Sequence, residues 1–291
     1  MLDDRTLLDH VRMLDDPRRL EPFARALAAT CEGRVVAEIG VGLGPLSLFA
    51  LRAGARRVYG IESDPRTLEF TAALLRAHGY GPDRFVPLVG RSDAVEPDEP
   101  VDVIVGELID SIGIGENAAV YLDDARRRWL APGGHVIPGR IEVEVGLAGC
   151  RRFAAERDFF ARTLGERHGL DYRPVLDRLA APRRTLTVDP DELCSALVPW
   201  QQLDFGAGQP VRASAELDLP IERDGRLDGL VFGFRLVLID GVEIDTRPGS
   251  PHTCWEQGCL PLPRALEVSA GEAFRVRLDC PPTTEPWAPV R

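Results

Sequence analysis

Val101-Asp-Val-Ile-Val-Gly-Glu-Leu-Ile-Asp-Ser-Ile-Gly-Ile-Gly-Glu116 is the stretch on which the reading of this chain turns. Its opening, Val101 to Val105, is an apolar run of strand length, the pattern of a strand buried on both faces in a parallel sheet. The run passes straight into a glycine-dotted loop with carboxylates at Glu107 and Glu116. Open α/β sheets bind ligands just beyond the carboxyl ends of their strands, so the loop lies where chemistry is expected. Two acids this close, with no Lys or Arg between them, repel each other unless a cation sits between them. A planar guanidinium suits that gap, because each carboxylate can accept a two-pronged hydrogen bond from it. Taken alone, the stretch reads as a solvated loop whose acids face water; its flanks reverse that.

Upstream, Arg34-Val-Val-Ala-Glu-Ile-Gly-Val-Gly-Leu-Gly-Pro-Leu-Ser47 reads as a strand, a turn with Gly40, Gly42 and Gly44, and a helix to about Ala53. Glycines at alternate positions let backbone approach a ligand, and Glu38 just before them offers an acceptor. Dinucleotide and S-adenosylmethionine sites share such a turn. The second strand, Arg57-Val-Tyr-Gly-Ile-Glu62, ends in an acid where such folds bind a ribose diol. A helix from Thr67 to Ala77 follows, then Phe85-Val-Pro-Leu-Val-Gly-Arg-Ser-Asp93, a third strand closing on an acid. The quoted strand is the fourth; a helix over 123–130 and a strand after Ala131-Pro-Gly-Gly134 complete the series. Strand–helix alternation over 34–140 implies a Rossmann-like α/β unit, a parallel sheet with helices on both faces. Ahead of it, Leu2, Leu7, Leu8, Val11 and Leu14, then Leu20, Phe23, Ala24 and Leu27, recur at near-helical spacing over 2–30, with Pro17 dividing the segment.

After Arg140 the pattern changes. Ile141, Val143 and Val145 alternate, a charged and aromatic helical insert covers 151–179, and strand-like runs follow at 212–219, 230–239 and 264–278, with turn signals at Asp224-Gly225 and Asp240-Gly241. This half is an antiparallel β unit, a small barrel or a sandwich. The expected division is 1–30 helical, 31–140 α/β and 141–291 β with its insert; the proline-rich end from Pro281 is expected to be irregular.

Composition bounds the rest. The 291 residues are 44% hydrophobic and 28% charged, ordinary for a globular chain. No apolar run is long enough to span a bilayer, and the N-terminus lacks a basic region followed by an apolar one. Six cysteines without paired spacing imply reduced thiols and a cytoplasmic setting; Cys254 and Cys259 make a poor zinc signature, and no metal is expected. The net charge of −11 argues against nucleic acid or anionic membrane as partner and tolerates a cationic substrate.

One more loop, Ser250-Pro-His-Thr-Cys-Trp-Glu-Gln257, precedes the last strands. Together with Glu107 and Glu116 it makes the chain resemble the protein arginine methyltransferases, over residues 10 to 280. Those enzymes join a Rossmann-like S-adenosylmethionine domain to a β barrel carrying a dimerisation arm. Their two-glutamate loop has eight residues between the acids, as here. Their barrel carries a Thr-His-Trp loop, matched at Thr253 and Trp255, with Cys254 in place of the histidine. The segments Ala53-Gly-Ala-Arg-Arg-Val-Tyr-Gly-Ile-Glu62, Trp129-Leu-Ala-Pro-Gly-Gly134, Gly169-Leu-Asp-Tyr172 and Val188-Asp-Pro190 carry the likeness further.

The resemblance implies S-adenosylmethionine as methyl donor, with S-adenosylhomocysteine as product, and assigns roles by position. Arg19 would hold the methionyl carboxylate, Glu62 the ribose hydroxyls, and Ser92 with Asp93 the adenine side; Glu38, Gly40, Gly42 and Gly44 complete the cofactor set. Taken singly, Arg19 could be an exposed helix residue and Asp93 a loop acid or helix cap. Glu107 and Glu116 would be catalytic, with Ser111, Thr253, Cys254 and Trp255 at the acceptor. The insert over 151–179, with Phe153, Phe159, Phe160 and Tyr172, would be the arm of a homodimer. Three departures bear on the substrate. The chain starts too late for the family's Tyr-Phe N-terminal helix. Cys254 cannot make the histidine's ion pair to an acid at the position of Asp16. Ile109, Ser111 and Ala118 replace bulky loop residues. These departures point to a reshaped pocket, and to free arginine or an arginine-derived metabolite in preference to a protein tail. The alternatives are methylation of a non-guanidino N, O or C of a small molecule, a catalytically silent dimer partner, or, from the glycine turn alone, a nicotinamide site.

Overall fold

The computed structural model describes residues 4–180 and 183–280. Leu2 and the end from Pro281, read above as helical and irregular, lie outside the described residues. Two helices open the chain, α1 (Asp4–Leu14) and α2 (Pro17–Thr30). They part at Asp16, whose Oδ1 accepts the backbone N–H groups of Arg18 (2.9 Å) and Arg19 (3.2 Å) and so caps α2. Pro17 takes the first helical position, where no N–H is required. α2 buries Phe23, Ala26 and Leu27 as their spacing predicts. On α1, by contrast, Leu8 and Val11 are exposed.

The α/β unit follows: β1 (Val35–Ile39), α3 (Pro45–Arg52), β2 (Arg57–Glu62), α4 (Pro65–Ala77), β3 (Phe85–Val89), β4 (Val101–Gly106), α5 (Ala118–Trp129) and β5 (Leu130–Ile137). The five strands are parallel in the order β3-β2-β1-β4-β5. Every residue of β1 is buried, and in β4 only Asp102 is not, which is why both read as continuous apolar runs. Strand order reverses between β1 and β4, where Val36 pairs with Val103 and Ile39 with Gly106. A crevice at such a switch point is the ligand site of open α/β sheets. The link over 90–100 holds no helix, and one expectation shifts. α5 begins at Ala118 rather than 123, because Ala118, Leu122, Ala125 and Trp129 form one buried stripe. Asp123 sits within the helix, paired with Arg126 at 2.8 Å and Arg127 at 3.1 Å.

The second half contains β6 (Arg140–Ala148), α6 (Arg151–Asp158), a π-helical turn (Phe159–Leu164), α7 (Gly165–His168), α8 (Arg173–Ala180), β7 (Arg184–Leu186), β8 (Val198–Asp204), β9 (Ser214–Pro220), β10 (Gly225–Ile239), β11 (Val242–Asp245), β12 (Gln257–Val268) and β13 (Ala273–Asp279). An antiparallel sheet runs β7-β12-β10-β6-β8 with β11 also on β10, and β13 pairs with β9 as a ribbon. The run expected over 264–278 is two strands, divided over 269–272 where Gly271 takes φ +91°. β8 escapes an apolar-pattern reading because Gln201 is buried in it, satisfied by the Arg212 backbone N–H (3.0 Å) and carbonyl (2.9 Å). One apolar core runs from Phe23 through both sheets to Leu278. α2 packs on α3 and on β10 and β11, which sets its first turn beside the switch point.

Candidate active site

The turn after β1 leaves the sheet through three glycines with positive φ: Gly40 (+75°), Gly42 (+52°) and Gly44 (+80°). A Cβ on Gly44 would also lie 2.5 Å from Thr71 Cγ2, and Thr71 Oγ1 donates to the Gly42 carbonyl at 2.6 Å. Side chains other than hydrogen are therefore excluded by both backbone and space. Glu62, at the end of β2, accepts the Gly42 N–H at 3.2 Å through Oε2; its Oε1 accepts those of Ser63 (2.7 Å) and Asp64 (3.1 Å). Glu38 is fully buried beneath the turn and accepts from the Ser47 hydroxyl. Burial pushes its carboxyl up to about 8, against the lowering effect of that bond.

Opposite the turn stands the loop after β4. Glu107 accepts the Ile109 N–H at 3.1 Å and holds the guanidinium of Arg19, whose Nε (3.1 Å) and Nη2 both donate to its Oε2. Arg19 Nη1 donates to the Met13 carbonyl at 3.1 Å, and the guanidinium carbon lies 5.5 Å from the Trp255 ring centre. Glu116 has no hydrogen bond or ion pair among the described residues. It opens to solvent, yet the concave and acidic walls around it push its carboxyl up to about 7: desolvation first, then the charges of Glu107 and Asp110. Asp110 organises the loop between them. Its Oδ1 accepts the N–H groups of Ile112 (3.2 Å) and Gly115 (3.0 Å), and its Oδ2 takes Arg183.

The loop before β12 braces this arrangement. Trp255 Nε1 donates to the Ile109 carbonyl at 2.6 Å, and Gly258 N–H to the Ser111 carbonyl at 3.0 Å. Cys254 donates its backbone N–H to Asp16 Oδ2 at 2.6 Å. Burial pushes its thiol up to about 12, with the nearby Asp16 and Glu107 carboxylates adding to the shift. The turn, the two-glutamate loop and the Cys254–Trp255 loop enclose a cavity of about 460 Å³, which α1 borders with His10, Met13 and Leu14.

No protein-family model matches the chain. An arginine N(omega)-methyltransferase of Streptomyces achromogenes subsp. streptozoticus is 29% identical over 278 residues, 92% of this chain and 75% of that protein. A probable histone-arginine methyltransferase CARM1 of Oryza sativa subsp. indica is 30% identical over 298 residues, 94% of this chain; the chain spans about half of that protein (54%). Over more than nine-tenths of its length the chain is similar to these arginine methyltransferases. Among solved structures, the Trypanosoma brucei PRMT1 enzyme–prozyme heterotetrameric complex with AdoHcy superposes with a TM-score of 0.79 at 24% identity, over 93% of this chain and 87% of that one. Arabidopsis thaliana protein arginine methyltransferase 10 gives 0.78 at 19%, over 94% and 87%. At that identity the likeness establishes the shared fold: the Rossmann-like sheet followed by an antiparallel β unit.

Of the residues singled out in the sequence, Arg19, Glu38, Gly40, Gly42, Glu62, Glu107, Ser111, Glu116, Cys254 and Trp255 line this cavity. Gly44, Thr253, Ser92 and Asp93 do not. Thr253 is buried behind the cavity wall, its Oγ1 unpaired among the described residues. The Ser92 hydroxyl is likewise buried and unpaired, while Asp93 is held by Arg91 at 2.8 Å on the surface. Sequence reasoning missed Asp110 and Arg183. Asp110 stood within the quoted stretch, an acid three residues after Glu107; nothing in the sequence marks Arg183.

Proposed function

We propose that the chain transfers a methyl group from S-adenosylmethionine to a guanidino nitrogen of arginine, acting on free arginine or an arginine-derived metabolite in preference to a protein tail. The observation that carries this is the Arg19–Glu107 pair: the two-glutamate loop already binds a guanidinium through two of its N–H groups. The Streptomyces relative, named an arginine N(omega)-methyltransferase, supports the same acceptor.

The residues present fit the donor. The glycine turn leaves backbone open to the cavity, and Glu62 sits at the strand end suited to a ribose. Arg19, between Met13 and Glu107, is the cation available for a methionyl carboxylate. S-adenosylmethionine supplies a methyl group that is already electrophilic. The chain's own work is therefore alignment, which can contribute ~7–11 kcal/mol when reactants are well oriented. Glu107 and Glu116 bind the acceptor guanidinium from two sides and draw its positive charge toward the nitrogens that do not react. The remaining Nη keeps more of its lone pair. Glu116, with its raised carboxyl, is placed to take the proton released after transfer.

We further propose that the helical segment over 151–179 is an arm that docks on a second copy, which would cover its exposed Phe159, Leu170 and Val175. Methyl transfer is tested by S-adenosylhomocysteine release across free guanidino compounds and arginine peptides, with mass spectrometry of the products. Amines or alcohols methylated while every guanidine is refused would overturn it. Light scattering that gives a monomer mass at micromolar protein would remove the arm.

A further inference from the structure

Resting on the guanidino reading above, we propose that Arg183 is the anion-reading residue of the acceptor site, so that the substrate is a small guanidino acid recognised at both ends: guanidinium on Glu107 and Glu116, carboxylate on Arg183.

Arg183 lines the same cavity as the two glutamates but comes from another part of the chain, the residue just before β7. The two-glutamate loop itself holds it there. Its Nη1 donates to Asp110, which is 8% exposed and whose other oxygen is anchored by two loop N–H groups. Gly115, the neighbour of Glu116, makes the approach possible: a Cβ there would stand 2.9 Å from Arg183 Nη1. An arginine carries five N–H donors, and those on Nε and Nη2 of Arg183 have no acceptor among the described residues, while about a third of the side chain (31%) remains exposed. The cavity therefore has two arginines with different engagements. Arg19 is spanned by Glu107 and Met13, whereas Arg183 is tethered at one nitrogen and has unclaimed donors.

A carboxylate would satisfy those donors with charge-assisted bonds. A guanidinium alone does not need them, and a peptide carbonyl at that point offers a neutral acceptor in place of a charged one. Arg183 is thus a specificity-determining residue that distinguishes a free amino acid from its decarboxylated, amidated or peptidyl forms. The competing role is a brace that only shapes the Asp110 loop, and substrate selectivity separates the two.

The test compares kcat/KM for L-arginine, N-acetyl-L-arginine, L-argininamide, agmatine and an arginine peptide flanked by aspartate, in the wild-type chain, Arg183→Gln and Arg183→Lys. The wild type should prefer the two free carboxylates over agmatine and argininamide by about tenfold or more, the effect of a hydrogen bond to a charged group, expressed chiefly in KM. Arg183→Gln should collapse that ratio toward one while S-adenosylhomocysteine affinity and Tm stay near wild type; Arg183→Lys should keep part of it. A wild type that uses agmatine as well as L-arginine, or a preference that survives in Arg183→Gln, would overturn the assignment. Faster turnover of the acidic peptide than of L-arginine would overturn its small-molecule part. Failure of every guanidine in the wild type would instead sink the guanidino reading on which it rests.

Discussion

Asp16 accepts the backbone N–H of Cys254 at 2.6 Å, joining the first turn of α2 to the loop before β12 across 238 positions. The expected loss of an ion pair at this place, with cysteine standing for histidine, is therefore met by a main-chain bond that any residue but proline could make at 254. The same carboxylate caps α2, so its removal frees a helix end and a loop together. Asp16→Ala should lower stability by about 0.5–2 kcal/mol from the cap alone, with further loss from the buried loop contact, read as a fall in Tm. Cys254→Ala should leave Tm and turnover close to wild type. A loss of turnover at Cys254 as large as at the glutamates would reveal thiol chemistry.

Glu107→Gln and Glu116→Gln keep shape and remove one charge each from the guanidinium clamp. Breaking a buried ion pair typically costs ~3–5 kcal/mol, so either change should lower turnover at least ~10²-fold at ~1.4 kcal/mol per decade. S-adenosylhomocysteine affinity, measured by calorimetry, should move far less. Wild-type turnover in both variants would end the guanidinium reading.

The raised carboxyl of Glu116 predicts a pH limb. The acid must be ionised to bind a guanidinium, and desolvation with the charges of Glu107 and Asp110 keeps its proton on until about pH 7. The kcat/KM should accordingly fall as pH drops through about 7. Glu107→Gln removes one repelling charge and should move the limb to lower pH, besides lowering the plateau. A limb that stays in place would assign the titration to another group.

Glu38 predicts a pH-dependent stability. In the folded chain burial holds its proton until about pH 8, whereas an unperturbed Glu loses it near 4.5. Between those values the unfolded chain binds fewer protons, so stability falls as pH rises, by up to ~1.4 kcal/mol per unit. Glu38→Gln should lack this term. Urea unfolding at pH 5 and pH 8 should show the variant gaining on the wild type at the higher pH; an equal difference at both would place the titration elsewhere.

Glu62→Ala removes the acceptor assigned to the ribose hydroxyls and should weaken S-adenosylhomocysteine binding by roughly 1.5–3 kcal/mol. Unchanged affinity by calorimetry would show that the ribose lies elsewhere.

The α/β half of the fold and most of its cavity were legible in the residues because their causes are local. A strand buried on both faces must be apolar throughout, as in Val101–Val105. A turn with positive φ must use glycine, as at Gly40, Gly42 and Gly44. An acid at a strand end, as at Glu62, is carried to the sheet's edge by the strand itself. The start of α5 and the presence of β8 were less legible, since a buried alanine and a buried glutamine carry little apolar signal until their partners are in place. The long-range contacts that complete the site had no local cause at all. Arg19 meets Glu107 over 88 positions, Arg183 meets Asp110 over 73, and Asp16 meets Cys254 over 238. Each depends on the register of segments from different parts of the chain, which neither residue's neighbours encode. Packing of α2 against β10 and β11, and of the residues before β7 against the two-glutamate loop, brings those partners within bonding distance.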